Sequence, residues 1–260
     1  MKRIHTLTKE ARELLEPAVL QYIHDTFCCN PKLGKAFVDN EDNPKSCILL
    51  LNHWLFFGGN VSEECLAFIS DEILTGDVQN RLHILYIIYP NNEWKNALVT
   101  LFPDKSKLYQ QSLYRSTPKC TGNLPGYNNI VEITPELMSS NTANLDMIKN
   151  EVLSTATYDD MEDFFSRGFG FAPVIDNKVC GFCTSEYPSE NAIAIGIEVL
   201  KEYQKQGYAR AMTQAFLNKA AQRNLDVYWQ CWKDNTASVK TALSSGFEKV
   251  ADAMFAQGLY

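Results

Sequence analysis

The chain has 260 residues, of which 45% are hydrophobic and 21% charged, with a formal net charge of −7. That length suits one large domain or two modest ones, and the composition is that of a soluble globular protein. The acidic balance excludes general nucleic-acid binding, which needs a basic face, and a polybasic membrane anchor, while leaving room for a local basic spot that holds one anionic ligand.

The first residues, "MKRIHTLTKEARELLEPAVL", lack a continuous apolar stretch and read as an amphipathic helix rather than a signal peptide. That helix is expected over about residues 8–27, with Leu7, Ala11, Leu14, Ala18 and Tyr22 on one face and Pro17 as a kink. "CILLLNHWLFFGG" reads as a strand, and Ser62 caps a helix starting at "EECLAFI". "RLHILYIIY" is a buried strand, "NNEWKNALVTLF" a helix closed by Pro103, and "KLYQQSLYRS" another strand. Neither "CILLL" nor "LHILYIIY" is long enough to span a bilayer, so a cytoplasmic protein is expected. The turn-rich segment 116–129 places a domain boundary near residue 130, giving domains of 1–130 and 131–260.

In the second part, "NLDMIKNEVLSTATYDDMEDFFSRG" reads as largely helical. "FGFAPVID", "KVCGFCTSEYP" and "NAIAIGIEVL" are successive strands, with a hairpin turn at Asn177 and Lys178 after Asp176. A helix follows from about Gly207 to Arg223, then the strand "LDVYWQCW", the helix "NTASVKTALSSG" and a last strand in "FEKVADAMFAQ". The class is α/β (α+β): a mixed sheet flanked by helices, preceded by a smaller α/β domain.

The eight cysteines read mainly as small buried hydrophobes of a reducing compartment. Strand alternation puts Cys180 and Cys183 of "CGFC" on opposite faces, and no second ligand pair completes a tetrahedral metal site, so no metal is expected. His5, His24, His53 and His83 all fall in the first third and read as structural or surface residues.

The most informative segment is "GIEVLKEYQKQGYARAM", a strand, a turn and a helix start. A helix N-terminus offers unpaired amides and the positive end of a dipole. Gly207 permits a tight turn and close approach to the backbone, Ala209 keeps the first helical turn slim, and Lys205 and Arg210 add positive charge. This is neither a dinucleotide fingerprint nor a Walker loop. A plain turn remains the alternative.

Gln204-Lys205-Gln206-Gly207-Tyr208-Ala209 resembles the [QR]-x-x-G-x-[GA] signature of the GNAT (N-acetyltransferase) superfamily. The resemblance extends through "WQCWKDNTASVKTALSSGFEKV" and over residues 131–260. It is greatest for a bacterial subgroup with a long N-terminal extension, in which "RGFGF" and "CW..N" segments recur; here they stand at Arg167–Phe171 and Cys231–Asn235. It is fainter in residues 1–130, which read as a degenerate, non-binding GNAT-like half. The resemblance implies acetyl-coenzyme A as co-substrate, with its pyrophosphate on the amides of the turn Gln204 to Arg210 and Asn235 contacting its pantetheine or phosphate end. Helix capping is the plain alternative for Asn235.

By position, Ile197, Glu198 and Val199 line the pantetheine and thioester, and the Val199 amide is the expected donor to the thioester carbonyl. An alkylammonium near pKa 10 costs about 4 kcal/mol to deprotonate at pH 7, so a general base is needed. Glu198, which shares a strand face with Ala194 and Gly196, is the first candidate, with burial expected to raise its pKa. Glu186 and Glu190 are weaker ones. Trp232, on the face of Gln230, is expected to line the acceptor pocket with it, and Trp229 to enter the core. Cys231 reads as packing. Two departures stand out: where many relatives carry a phenolic acid, this chain has Ala242, and where a glutamate is common it has Gln230. Tyr208 and Tyr228 are alternative phenols.

The expected activity is transfer of an acetyl or acyl group to a primary amine of a small molecule or peptide by direct attack. The acceptor is left open among amino acid, polyamine, antibiotic, peptide terminus and protein lysine. The N-terminal part is expected to form the acceptor side or a homodimer contact, with no nucleic-acid or membrane partner. The alternative is a non-catalytic acyl-coenzyme A sensor or scaffold, which Ala242 favours. An aminoacyl-tRNA-dependent transferase is disfavoured by the net charge.

Overall fold

The computed structural model describes residues 1–15, 20–52, 54–71, 84–101, 107–155 and 157–259. The chain folds into two compact units, 1–111 with 252–260, and 112–251. The turn-rich segment 116–129 lies inside the second unit.

The first unit opens with β1 (Lys2–Ile4), ahead of the segment 8–27 where one helix was expected. α1 (Lys9–Leu14) and α2 (Gln21–Cys29) follow, with Pro17 and Ala18 outside the described residues. Then come β2 (Gly34–Val38), β3 (Ser46–Leu51), β4 (Trp54–Gly59), α3 (Glu63–Phe68), β5 (Ile84–Ile88) and α4 (Asn92–Leu101). "CILLLNHWLFFGG" is therefore a hairpin rather than one strand. Asn52 takes a left-handed φ of 52°, which asparagine tolerates, and the chain doubles back to pair Leu51 with Trp54. His53 and His83 fall outside the described residues.

β1 to β4 pair as antiparallel neighbours, while β4 and β5 run parallel from Trp54–Tyr86 to Phe56–Ile88. Beyond that register the space next to β4 is filled. The fully buried Trp94 of α4 stacks on Phe57 with centroids 4.5 Å apart, and its Nε1–H donates to the Gly59 carbonyl at 2.8 Å. The turn after β4 is also occupied: the Asn60 N–H donates to Lys45 O, and the Ser62 hydroxyl caps α3 by accepting from the Cys65 N–H.

The second unit takes in the end of β6 (Lys107–Ser116) and continues through β7 (Ile130–Glu132), α5 (Pro135–Met138), α6 (Leu145–Ser154), α7 (Met161–Arg167), β8 (Gly170–Ile175), β9 (Lys178–Val179), β10 (Gly181–Glu186) and β11 (Ala192–Val199). It ends with α8 (Tyr208–Gln222), β12 (Asp226–Trp232), α9 (Thr236–Ser244) and the start of β13 (Glu248–Leu259), whose later residues pair with β5 in the first unit. The strand order is β7-β8-β10-β11-β12, antiparallel except for β11 with β12, and β9 pairs with β8. "KVCGFCTSEYP" thus breaks into two strands at Cys180. The hairpin turn is Asp176–Asn177, both left-handed, one residue earlier than expected.

The sheet of this unit is buried on both faces. On one, Met212, Phe216 and Ala220 of α8 pack with Ile193, Ile195, Val227, Trp229 and Phe169. On the other, Ile148 and Val152 of α6 and Phe164 of α7 pack with Ala172, Val179 and Phe182. Segment 116–129, which carries turn residues but is not a loose linker, is tied to α8. The Thr121 N–H donates to Asn218 Oδ1 at 3.0 Å, Asn218 Nδ2 donates to Asn123 Oδ1, and Gln214 Nε2 donates to Thr121 Oγ1.

Trp94→Ala empties the space beside β4 and orphans the Gly59 carbonyl. We expect it to lower unfolding free energy by about 3–5 kcal/mol in urea denaturation; a loss under about 1 kcal/mol would contradict this packing.

Candidate active site

β11 is paired unequally. Its β10 edge is matched throughout, from Gly181–Val199 to Glu186–Ala194. Its β12 edge is matched only from Ala192–Asp226 to Ala194–Tyr228, although both strands continue for several residues. The two parallel strands therefore part. The Leu200 N–H donates to Cys180 O at 3.0 Å, which sets the alternation of the β10–β11 ladder. Counting back, Glu198, Gly196 and Ala194 direct their backbone groups to β10, and Val199, Ile197 and Ile195 direct theirs toward β12. The other edge agrees: Asn191, in phase with Ile197, accepts from the Asp226 N–H of β12. Gln204 Nε2 takes the Val199 carbonyl at 3.0 Å. This leaves the Val199 amide and both backbone groups of Ile197 aimed at the opening.

A short 3₁₀ turn, Lys201–Tyr203, leads from β11 into the segment singled out in the sequence. Lys205 (φ 60°) and Gly207 (φ 86°) are both left-handed, so the chain turns sharply into α8. The first amide of α8 with an internal acceptor is that of Ala211, donating to Gly207 O at 3.0 Å. The six consecutive amides of Lys205 to Arg210 have no acceptor among the described residues. Lys205 and Arg210 are exposed and make no ion pair there. Braces hold the turn. Gln206 Nε2 donates to Glu202 O, the Tyr127 hydroxyl donates to Gln206 O at 2.9 Å, and the Tyr127 ring stands edge-on to Tyr208. A Cβ at Gly207 would overlap that Tyr127 hydroxyl. Glycine is thus required both for φ and for space.

The other face of β11 carries Ala194, Gly196 and Glu198. A Cβ at Gly196 would collide with the Glu186 carboxyl and stand 3.1 Å from a Glu151 oxygen. The two carboxyls, from β10 and α6, hydrogen-bond each other. Burial, reinforced by the neighbouring Glu151, pushes Glu186 up to about 8. Burial and the charge of Glu198 push Glu151 in the same direction. Glu198 itself is exposed, so the burial expected of it is not found. Glu190 is exposed as well. Sequence reasoning passed over Glu151, whose only signal was a position one helical turn beyond Met147 and Ile148; the contact with β10 arises from packing.

The remaining expected residues divide. Asn235 caps α9, its Oδ1 accepting from the Ser238 N–H at 3.1 Å. Trp229 is buried and donates to the Ser238 hydroxyl, while Gln230 and Trp232 are half-buried on the opposite face of β12. Cys231 is buried, which pushes its thiol up. Ala242 is fully buried in the core beneath β12. Tyr208 is half-buried at the turn, and Tyr228 lies under the Arg115 guanidinium. Cys180 and Cys183 are both buried, and no described helix is long and apolar enough to cross a membrane.

A mixed sheet parted between its two parallel strands, above a helix start with unused amides, defines an acyltransferase-type fold. The chain belongs to the GNAT acetyltransferase family, whose model matches residues 12–252. It is 23% identical over 225 residues to YdfB of Bacillus subtilis (strain 168), an uncharacterized N-acetyltransferase, covering 84% of this chain and 83% of that one. A GCN5-related N-acetyltransferase-like protein from Streptococcus suis 89/1591 superposes with a TM-score of 0.66 at 16% identity, over 94% of each chain. A tandem GNAT protein from the clavulanic acid biosynthesis pathway, solved without AcCoA, gives a TM-score of 0.55 at 11% identity, over 87% of this chain and 82% of its own.

From 4.5, the ordinary value for glutamate, to about 8, the folded Glu186 keeps a proton that the unfolded chain has released. Bound protons are then fewer in the unfolded state, so this group makes stability fall as pH rises through that window. Glu186→Gln is expected to flatten the decline in urea denaturation series across it; an unchanged pH slope would remove the shared proton.

Proposed function

We propose that the second unit is an N-acyltransferase that takes its acyl group from acetyl-coenzyme A and passes it to a primary amine. The observation that carries this reading is the continuity of unused donors, from the Ile197 and Val199 amides on the open edge to the six amides at Lys205 to Arg210. An extended amide-bearing arm ending in a pyrophosphate matches that row. In this reading the edge of β11 pairs with the arm, the turn and α8 hold the pyrophosphate, and Lys205 and Arg210 add charge. Asn235 spends its side chain as a cap, so any contact it makes with the coenzyme is through its remaining amide group.

Bound here, the thioester supplies the activated acyl carbon. The Val199 amide donates to the acyl oxygen, as an oxyanion-hole group does. The hydrogen-bonded pair Glu151–Glu186 takes the amine's proton, and Glu198 at the pair's exposed side directs the amine toward it. With Glu186 near 8, the pair is matched to proton exchange close to neutrality. Trp232 and Gln230 line the acceptor side. The first unit is a GNAT-type half whose cleft Trp94 closes, and it holds no coenzyme.

The second reading, a sensor that binds acyl-coenzyme A without turnover, is favoured by Ala242, where the family resemblance calls for a phenol. Thiol release with acetyl-coenzyme A and a panel of primary amines separates the two. Release with any amine establishes transfer; a thermal shift with acetyl-coenzyme A but no release establishes the sensor; no shift defeats both.

Glu186→Gln should lower kcat by about 10²–10⁴-fold and abolish the rise in rate approaching pH 8, with coenzyme affinity nearly intact. Unchanged kcat would remove the pair as base. Gly207→Glu should abolish coenzyme binding measured by calorimetry while the circular dichroism spectrum stays native; retained affinity would rule out the turn as the anion site.

A further inference from the structure

The face of β11 opposite α8 gathers three carboxyls, Glu151, Glu186 and Glu198, and none of them pairs with a cation among the described residues. A second, independent feature lies beside them. The hydroxyl of Thr184, a residue 1% exposed, has no hydrogen-bond partner among the described residues. Thr184 stands two residues before Glu186 on β10, and so on the same sheet face, and it is the ladder partner of Gly196, against which the half-buried carboxyls of Glu151 and Glu186 sit. A buried hydroxyl left without a partner is costly, and a donor entering this site would recover that cost.

We propose that the acceptor is a short diamine or polyamine: a primary amine whose chain carries a second ammonium group and no carboxylate. This rests on the acyl-transfer reading above. An ammonium brings three N–H donors, which the carboxylates and the Thr184 hydroxyl can accept. The charge count requires the second one. With no cation beside them among the described residues, the three carboxyls keep the site negative even where the Glu151–Glu186 pair holds a proton. The reacting ammonium gives one proton to the pair; its nitrogen then forms the bond to the acyl carbon, the carbon–sulfur bond breaks, and the electron pair leaves on sulfur, which takes the nitrogen's surplus proton. The reacting nitrogen is thereby neutral while the site still holds a negative charge, and a second ammonium that never titrates answers it. An acceptor carboxylate would instead face Glu198 and Glu151, so amino acids are selected against by repulsion.

The test uses one chain length with three ends: 1,4-diaminobutane, butylamine and 4-aminobutyrate, each assayed for thiol release and each titrated alone into the full-length protein by calorimetry at low salt. We expect kcat/KM to fall by about tenfold or more from the diamine to butylamine and again to 4-aminobutyrate, the scale of one partly buried ion pair. Diamine binding should weaken several-fold in Glu198→Gln, whose exposed site does not endanger folding. Thr184→Val should raise KM for the diamine with kcat little changed. Equal kcat/KM for the diamine and 4-aminobutyrate overturns the proposal. If no amine is acylated, the acyl-transfer reading fails separately, and the calorimetric order decides: diamine binding no tighter than butylamine overturns the inference, while tighter binding that Glu198→Gln weakens supports a diamine site.

Discussion

Between the Ala194–Tyr228 pair and the ends of their strands, β11 keeps its ladder with β10 and gives up its ladder with β12. Unpaired amides inside a protein are costly, so such a parting persists only where the surroundings over-determine it. Here three things do. The β10 register is complete, Ile193 and Ile195 are locked in the core under α8, and Gln204 covers the last carbonyl of the strand. The strand's period of two then divides the labour. Odd residues turn their backbone groups to the opening, and even residues turn their side chains to the opposite layer, where the carboxyls of α6 and β10 meet. One parted ladder thus presents free backbone donors and a pair of carboxyls at adjacent residues, Ile197 and Gly196, without a long loop.

The first unit shows what closes such a site. It repeats the strand pattern, four antiparallel neighbours and then a parallel fifth, with a helix between the parallel pair. Its parallel register also ends early, at Phe56–Ile88. There, however, an indole fills the space and takes the free carbonyl of Gly59, and a serine hydroxyl and a neighbouring carbonyl use the turn's amides. The first unit uses those groups within itself, and in the second they have no partner among the described residues. The difference comes down to Trp94 and Ser62 against Gly207 and a turn with no capping side chain.

Most of the second unit was legible because its signals are local. Alternation in "NAIAIGIEVL", the apolar stripe of α8 and the glycine at its start each fix an element without reference to distant residues. The burial of Trp229 and the half-exposure of Trp232 follow from the same period of two. The hairpin in "CILLLNHWLFFGG" was missed because a hydrophobic run buried on both faces hides its turn, and only Asn52 marks it. The burial expected of Glu198 was not found for a related reason. Glu198 shares the strand face of Gly196, but burial is decided by what packs over a residue, and Glu198 is exposed. Glu151 lies 35 positions before its partner Glu186, a pairing that no spacing rule contains.

Ala242 carries the strongest objection to catalysis, and its burial sharpens the chemistry rather than excluding it. At that position the side chain belongs to the core beneath β12, so no phenol there could be swapped in without repacking Trp229 and Phe247. A reaction at this site must therefore manage without an acid from α9. A thiol of ordinary pKa, about 8.5, leaves with little help compared with an alkoxide. The harder step is stripping the proton from an ammonium near pKa 10. Two carboxyls held beside Gly196, Glu186 pushed up to about 8 and Glu151 pushed the same way, are suited to that step. On the proposed chemistry, the proton transfer is where this site needs help, and the thiolate leaves on its own.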